Sequence, residues 1–260
     1  MGPMIPSNQQ IPMYDVAGPV HAFPIVFVHG AAWTRNMWIP QIKALSDEFR
    51  VIAIDLPGHG TLHDQPFTLA TACQSVLESL RQETQERALI VGLSLGGYVA
   101  MACAYDHPQD IAGLLVSGCC IDYRGVPGLL SRLDSSLVTT LFSDQRLTRM
   151  QEKTLRGQYS KEIIEPQLNA GFFWKAIPQT YRELASQDFR ALLQTFPGPV
   201  LIVNGENDRL NRKGESKLLS ATQDGQIQMI KQANHLCNLD QPEAFTQHVR
   251  TFAKRLSAAN

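Results

Sequence analysis

Ser94 lies in the run Gly92-Leu93-Ser94-Leu95-Gly96-Gly97, between the apolar segment 88–91 and a stretch that opens with small residues. A serine hydroxyl is a weak nucleophile at neutral pH. It attacks a carbonyl only when a base stands within hydrogen-bond reach and an acid holds that base in one tautomer. A Gly-x-Ser-x-Gly turn between a strand and a helix strains the serine backbone and presents its hydroxyl at the C-terminal edge of a sheet; glycines at 92 and 96 remove the side chains that would collide. Two later residues have the chemistry to be its partners. Asp208 closes Gly205-Glu206-Asn207-Asp208 after the apolar segment 199–204, and His235 closes Ala233-Asn234-His235 after the segment 226–231. Both are expected on loops at strand C-termini, on the same edge as Ser94 and in the chain order Ser, Asp, His. Asp122, just after the segment 111–117, competes for the acid's place, and His59 for the base's. Asp208 and His235 are preferred.

The elements that must position these groups read as an alternation. Apolar strands are expected at 25–28, 50–54, 88–91 and 111–117, and helices at 37–45, 68–83 and 95–107, the last stopped by Pro108. Strands resume at 199–204 and 226–231, and residues 242–256 read as a closing helix. This order predicts an α/β fold with a mostly parallel, doubly wound sheet covered on both faces. Between residues 118 and 195 the pattern is helical with no convincing strand, and the stretch is too long for a structureless loop. The expected organisation is a core of residues 1–117 and 196–260 and a small helical cap, 118–195, over the strand edge where open α/β sheets bind ligands.

Composition narrows the function. The chain has 260 residues, 44% of them hydrophobic, and a formal net charge of −1 with no basic or acidic block. That gives no reason to expect nucleic acid or an anionic membrane as partner. Five scattered cysteines, at 73, 103, 119, 120 and 237, read as reduced thiols in a cytoplasmic protein. No signal peptide is expected in residues 1–13, and no apolar stretch reaches the roughly 20 residues of a membrane span. No His, Cys and carboxylate spacing suggests a metal, and no dinucleotide fingerprint is present.

With these motifs in order, the chain resembles the capped esterases, lipases and lactonases of the α/β-hydrolase fold. The matching pieces are His29-Gly30, Asp55-Leu56-Pro57-Gly58-His59-Gly60, the segment around Ser94, Gly205-Glu206-Asn207-Asp208 and Asn234-His235. The resemblance implies Ser94 as nucleophile, His235 as base and then acid, and Asp208 as orienting carboxylate. It also implies an oxyanion hole from the backbone N–H groups of Leu95 and Ala31. Two departures stand out: Asn234 replaces the glycine common before the histidine, and Thr61-Leu62-His63 replaces the basic residue and serine usual after the Asp55 turn. Trp33, beyond the oxyanion loop, and the apolar patch Phe172-Phe173-Trp174 are candidates for the substrate pocket. The expected activity is hydrolysis of small to medium apolar carboxylic esters without a cofactor, by a monomer or homodimer. A C–C bond hydrolase, a lactonase, a thioesterase or a slowly hydrolysing ligand receptor would share the same three residues.

Overall fold

Apolar runs that are buried on both faces pair as parallel strands, and here they form the centre of one seven-stranded sheet. The structure, a computed structural model, describes residues 13–259. The strands are β1 (Tyr14–Ala17), β2 (Pro24–Val28), β3 (Arg50–Ile54), β4 (Ala88–Leu93), β5 (Ile111–Ser117), β6 (Pro199–Gly205) and β7 (Asp224–Ile230). Their spatial order is β1-β3-β2-β4-β5-β6-β7. Only β1 runs antiparallel, pairing Tyr14 with Ile54 and Ala17 with Val51. Every residue of β2, β4 and β5 is buried, as expected of strands covered on both sides.

The helices, in chain order, are α1 (Ile39–Leu45), α2 (Leu69–Glu83), α3 (Leu95–Asp106), α4 (Val126–Leu141), α5 (Asp144–Gln158), α6 (Lys161–Ala170), α7 (Ile177–Ala185), α8 (Phe189–Gln194), α9 (Arg209–Arg212), α10 (Glu215–Leu219), α11 (Cys237–Asp240) and α12 (Pro242–Ser257). The two-residue period of the strands divides the core between them. Val26, Val28, Ile90, Leu114, Val116 and Ile202 face one layer, where Val76 and Leu80 of α2 and Val99 and Cys103 of α3 pack. Ile25, Phe27, Leu89, Val91, Leu115 and Val203 face the other, with Leu45 of α1 and Phe245, Val249 and Phe252 of α12.

Local signals set the helix starts. Thr68 caps α2 in a reciprocal capping box with Thr71, and Pro242 opens α12, where a missing N–H costs nothing. α3 is buried from Leu95 through Ala104, which accounts for its run of Gly and Ala. Helices α4–α8 fill the interval between β5 and β6. α8 lies back against α3, with the Phe189 ring 4.8 Å from Tyr98. α4 leaves Val126, Leu129, Leu130, Leu133, Leu137 and Leu141 exposed along one face. Among the described residues, no helix is long and apolar enough to cross a membrane.

The close approach of α3 to β2 depends on Gly96, where a Cβ would overlap the Val28 carbonyl. Gly96→Ala is therefore expected to destabilise the chain by ~2 kcal/mol or more, because backbone must shift to accept it. Urea unfolding at neutral pH checks this; an unchanged midpoint would contradict it.

Candidate active site

The turn from β4 into α3 puts Ser94 at φ 55° and ψ −118°, one of three non-glycine residues with positive φ among those described. Two contacts hold this strained conformation. The Ser94 N–H donates to Ser117 O at 2.7 Å, tying the turn to the end of β5, and the turn closes through Gly97 N–H to Ser94 O at 3.0 Å. Ser94 is half-buried. It lies against the loop after β2: a Cβ added to Gly30 would touch Ser94 Cβ at 3.4 Å.

Asp208 follows β6 and caps α9; His235 follows β7. His235 Nδ1–H donates to Asp208 Oδ2 at 2.8 Å, a tautomer assigned from this hydrogen bond that leaves Nε2 unprotonated. The carboxylate is buried, with 7% of its side chain exposed, whereas 44% of the His235 side chain is exposed. Burial alone would raise the Asp208 pKa. The hydrogen bond and charge of His235, with donors from Asn211, more than offset this and hold it below the ordinary aspartate value. The imidazole stacks over Gly118, at the end of β5 next to the residue that holds Ser94 N–H. Gly118 has φ 63°, and a Cβ there would meet His235 Cε1 at 2.6 Å. Only glycine meets both demands.

Asp122 has a different environment. It is exposed and paired with Arg124 at 2.8 Å and Arg190 at 2.6 Å, and hydrogen bonding from Arg124 brings its pKa down to about 2. His59 is fully buried and braces the loop after β2. Its Nε2 accepts the Ala32 N–H at 3.0 Å and its Nδ1 lies 3.0 Å from Pro57 O. His29, its ring 5.0 Å from that of His59, does the reverse, accepting Leu56 N–H of the loop after β3 at 3.0 Å and lying 2.8 Å from Gly30 O. Each ring thus uses one nitrogen as acceptor and the other as donor, a pattern available only to the neutral imidazole.

The loop after β2 carries Ala31 and Ala32, the latter at φ 65°. Leu95 is the first residue of α3, so its N–H has no acceptor within the helix. The rest of the loop is clamped from two sides. Ala32 O accepts Phe173 N–H at 2.9 Å, and Gln167 Oε1 accepts Thr34 Oγ1 at 2.9 Å and Thr34 N–H at 3.3 Å, both from the helical insertion. Arg35 N–H and Thr61 N–H donate to the buried Asp55 carboxylate at 3.0 and 2.9 Å, and the Arg35 guanidinium pairs with the same carboxylate.

The four aromatic candidates divide. Trp33 and Phe172 are both buried and meet edge to face at 5.4 Å, and Trp174 stacks on Phe172 at 5.7 Å. Phe173 turns instead toward His59 and His63, at 6.4 and 5.9 Å. It lines an outer cavity of about 870 Å³ with Thr34, Arg35, Asp55 and His63. Sequence reasoning missed Asn211, Gln167 and the brace at Asp55. The turn motif containing His59 was the one available signal.

The five cysteines are free thiols, and burial pushes Cys120 and Cys237 up to about 12, which keeps them protonated and unreactive at neutral pH.

The buried neutral histidines carry a stability consequence. Burial brings the His59 pKa down from 6.5 to about 3, and burial lowers that of His29 as well. The unfolded chain therefore takes up protons first. The stability contributed by neutral His59 is complete above pH 6.5 and falls as the pH drops toward 3, by up to ~1.4 kcal/mol per pH unit, and His29 acts in the same direction. Urea midpoints at pH 7 and pH 5 are expected to differ less in His59→Gln than in the parent; an equal difference would contradict this origin.

Comparison with known proteins adds to this geometry. Residues 25–248 match the sequence model of the Alpha/beta hydrolase family. A pimeloyl-(acyl-carrier protein) methyl ester esterase from Edwardsiella ictaluri is 29% identical over 246 residues, 88% of this chain and 92% of that protein. 3-Oxoadipate enol-lactonase 1 from Acinetobacter baylyi is 25% identical over 258 residues, 93% of this chain and 92% of that one. Among solved structures, MenH from S. aureus superposes with a TM-score of 0.81 at 19% identity, covering 95% of this chain and 100% of the other. A thermophilic esterase from Thermogutta terrifontis gives 0.73 at 23% identity, covering 94% and 93%. At these identities the structural likeness shows the fold.

Proposed function

The chain belongs to the alpha/beta hydrolase family, and from that premise we propose that it is a serine hydrolase of carboxylic esters in which Ser94, His235 and Asp208 act together. The observation that carries the proposal is the Asp208–His235 hydrogen bond at 2.8 Å, made to a buried carboxylate. It lies at the strand edge from which the strained turn presents Ser94.

In this mechanism Ser94 Oγ attacks the carbonyl carbon while His235 Nε2 takes its proton. Asp208 holds Nδ1–H and stabilises the imidazolium that forms. The N–H groups of Leu95 and Ala31 receive the developing oxyanion, a role supported by the free first N–H of α3 and by the clamps on the neighbouring loop. His235 then returns the proton to the leaving alkoxide, and the C–O bond breaks to leave an acyl-Ser94 ester. A water molecule, deprotonated by His235, attacks that ester and releases the carboxylic acid and the free serine. No cofactor enters these steps.

Helices α4–α7 act as a cap in this reading. Trp33, Phe172 and Trp174 form an apolar wall where the cap meets the oxyanion loop, which supports an apolar acyl or alcohol group in the substrate. Phe173 contributes through its backbone bond to Ala32. Lactone opening is a second reading, supported by the likeness to an enol-lactonase; it uses the same acyl-enzyme, with the leaving alcohol still tethered. A panel of p-nitrophenyl esters of rising chain length, run beside simple lactones, tests both. Rapid multiple turnover of at least one ester is expected; no turnover of either class would contradict the proposal.

A further inference from the structure

We propose that Asn211 is a positioning residue for catalysis, whose side-chain amide fixes the Asp208 carboxylate against His235. The inference rests on the serine-hydrolase reading above and extends it to a residue with no motif around it. Asn211 is 2% exposed and sits in α9, three residues after Asp208. Its Nδ2 donates to Asp208 Oδ2 at 2.9 Å, the same oxygen that accepts His235 Nδ1–H. Its Oδ1 accepts the Cys120 N–H at 2.9 Å. The amide cannot be turned over, because a flip would set its NH2 against the Cys120 N–H and its oxygen against the carboxylate. The backbone N–H of Asn211 adds a third, longer bond to Asp208 Oδ1 at 3.4 Å.

One side chain thus joins three loops: the exit of β5 at Cys120, the exit of β6 at Asp208 and the exit of β7 at His235, whose Nδ1 lies 3.4 Å from Asn211 Nδ2. Two effects follow. The carboxylate is held in one rotamer, so the imidazole it orients is held too. The amide NH2 also directs the positive end of its dipole at both Asp208 Oδ2 and His235 Nδ1. Replacing the amide with a negative charge favours the protonated ring and moves the acid limb of the rate profile to higher pH.

The other titratable groups around the pair do not confuse this readout. Cys119, Cys120 and Tyr123 beyond β5 and Cys237 in α11 are all pushed upward by burial and stay neutral across the working range. Glu215 is engaged by Asn204 Nδ2 at 2.9 Å and lies 3.7 Å from Arg212.

The test compares Asn211→Asp, Asn211→Ala and Asp208→Asn with the parent on p-nitrophenyl acetate, recording kcat, KM, the pH profile of kcat/KM and thermal melting. Asn211→Asp is nearly isosteric and keeps the acceptor for Cys120. It is expected to lower kcat about 10-fold or more with KM nearly unchanged, and to raise the acid limb by about one pH unit. Asn211→Ala is expected to lower kcat by less. Folded variants with parental kcat and an unmoved acid limb would overturn the positioning role, and so would failure of both variants to fold, which would make Asn211 purely structural. Asp208→Asn separates the two ideas. If it keeps full activity, the triad reading fails; if it is inactive while both Asn211 variants behave as the parent, only the positioning role fails.

Discussion

Ser94→Ala is expected to lower kcat on p-nitrophenyl butyrate by at least ~10⁴-fold while the protein melts as the parent does. The substitution removes one oxygen and keeps the Cβ. The strained φ of 55° is imposed by the close approach of α3 to β2 and by the Ser94 N–H bond to Ser117 O, neither of which involves the hydroxyl. What is lost is the atom that forms the covalent bond in the proposed mechanism. The proposed oxyanion donors at Leu95 and Ala31 are backbone groups and remain, so a small residual rate over water is expected. Retention of more than a few per cent of parental turnover in a homogeneous preparation would exclude Ser94 as the nucleophile.

Asp208→Asn is expected to cost about 10⁴-fold in kcat with little change in fold. The amide can keep the contact with His235 but presents either a donor, which sets the imidazole in the wrong tautomer, or a neutral acceptor, which no longer stabilises the imidazolium. Asp122→Asn is the matched control. Asp122 is exposed and its partners are Arg124 and Arg190, so its loss is expected to leave kcat within about twofold. The reverse outcome, an inactive Asp122 variant beside an active Asp208 variant, would transfer the acid's role to the exit of β5.

The strands buried on both faces were legible because each is a short unbroken apolar run; β2, β3 and β5 lie at the predicted positions and β4 runs two residues further, to Leu93. The sheet edges were not. β1 is four residues of mixed character, Tyr14-Asp15-Val16-Ala17, and becomes a strand only through its antiparallel register with β3. β7 starts at Asp224, two residues before the expected 226, because an edge strand half open to solvent tolerates Asp, Gly and Gln where an apolar run was sought. Among the proposed site residues, glycine spacing and places after strands pointed to Ser94, Asp208 and His235, and the structure pairs the last two and strains the turn at the first. The choice between Asp208 and Asp122 was open, since each follows a strand end, and it is distinguished by which one bonds the imidazole. Asn211 and Gln167 left no local trace. The amide of Gln167 meets Thr34, 133 residues away in sequence, and no period or motif encodes such a contact. His59 was visible as part of a turn, while its bond to Ala32 joins two loops 27 residues apart in sequence.

A fluorophosphonate probe followed by peptide mass mapping reports which residue is the nucleophile. The reagent phosphonylates a serine only where a base activates it and an oxyanion site receives the charge. One adduct per chain is expected, on the peptide carrying Ser94, forming in step with loss of esterase activity. Full inactivation with the adduct on another residue, or sustained turnover by enzyme fully labelled at Ser94, would contradict the account.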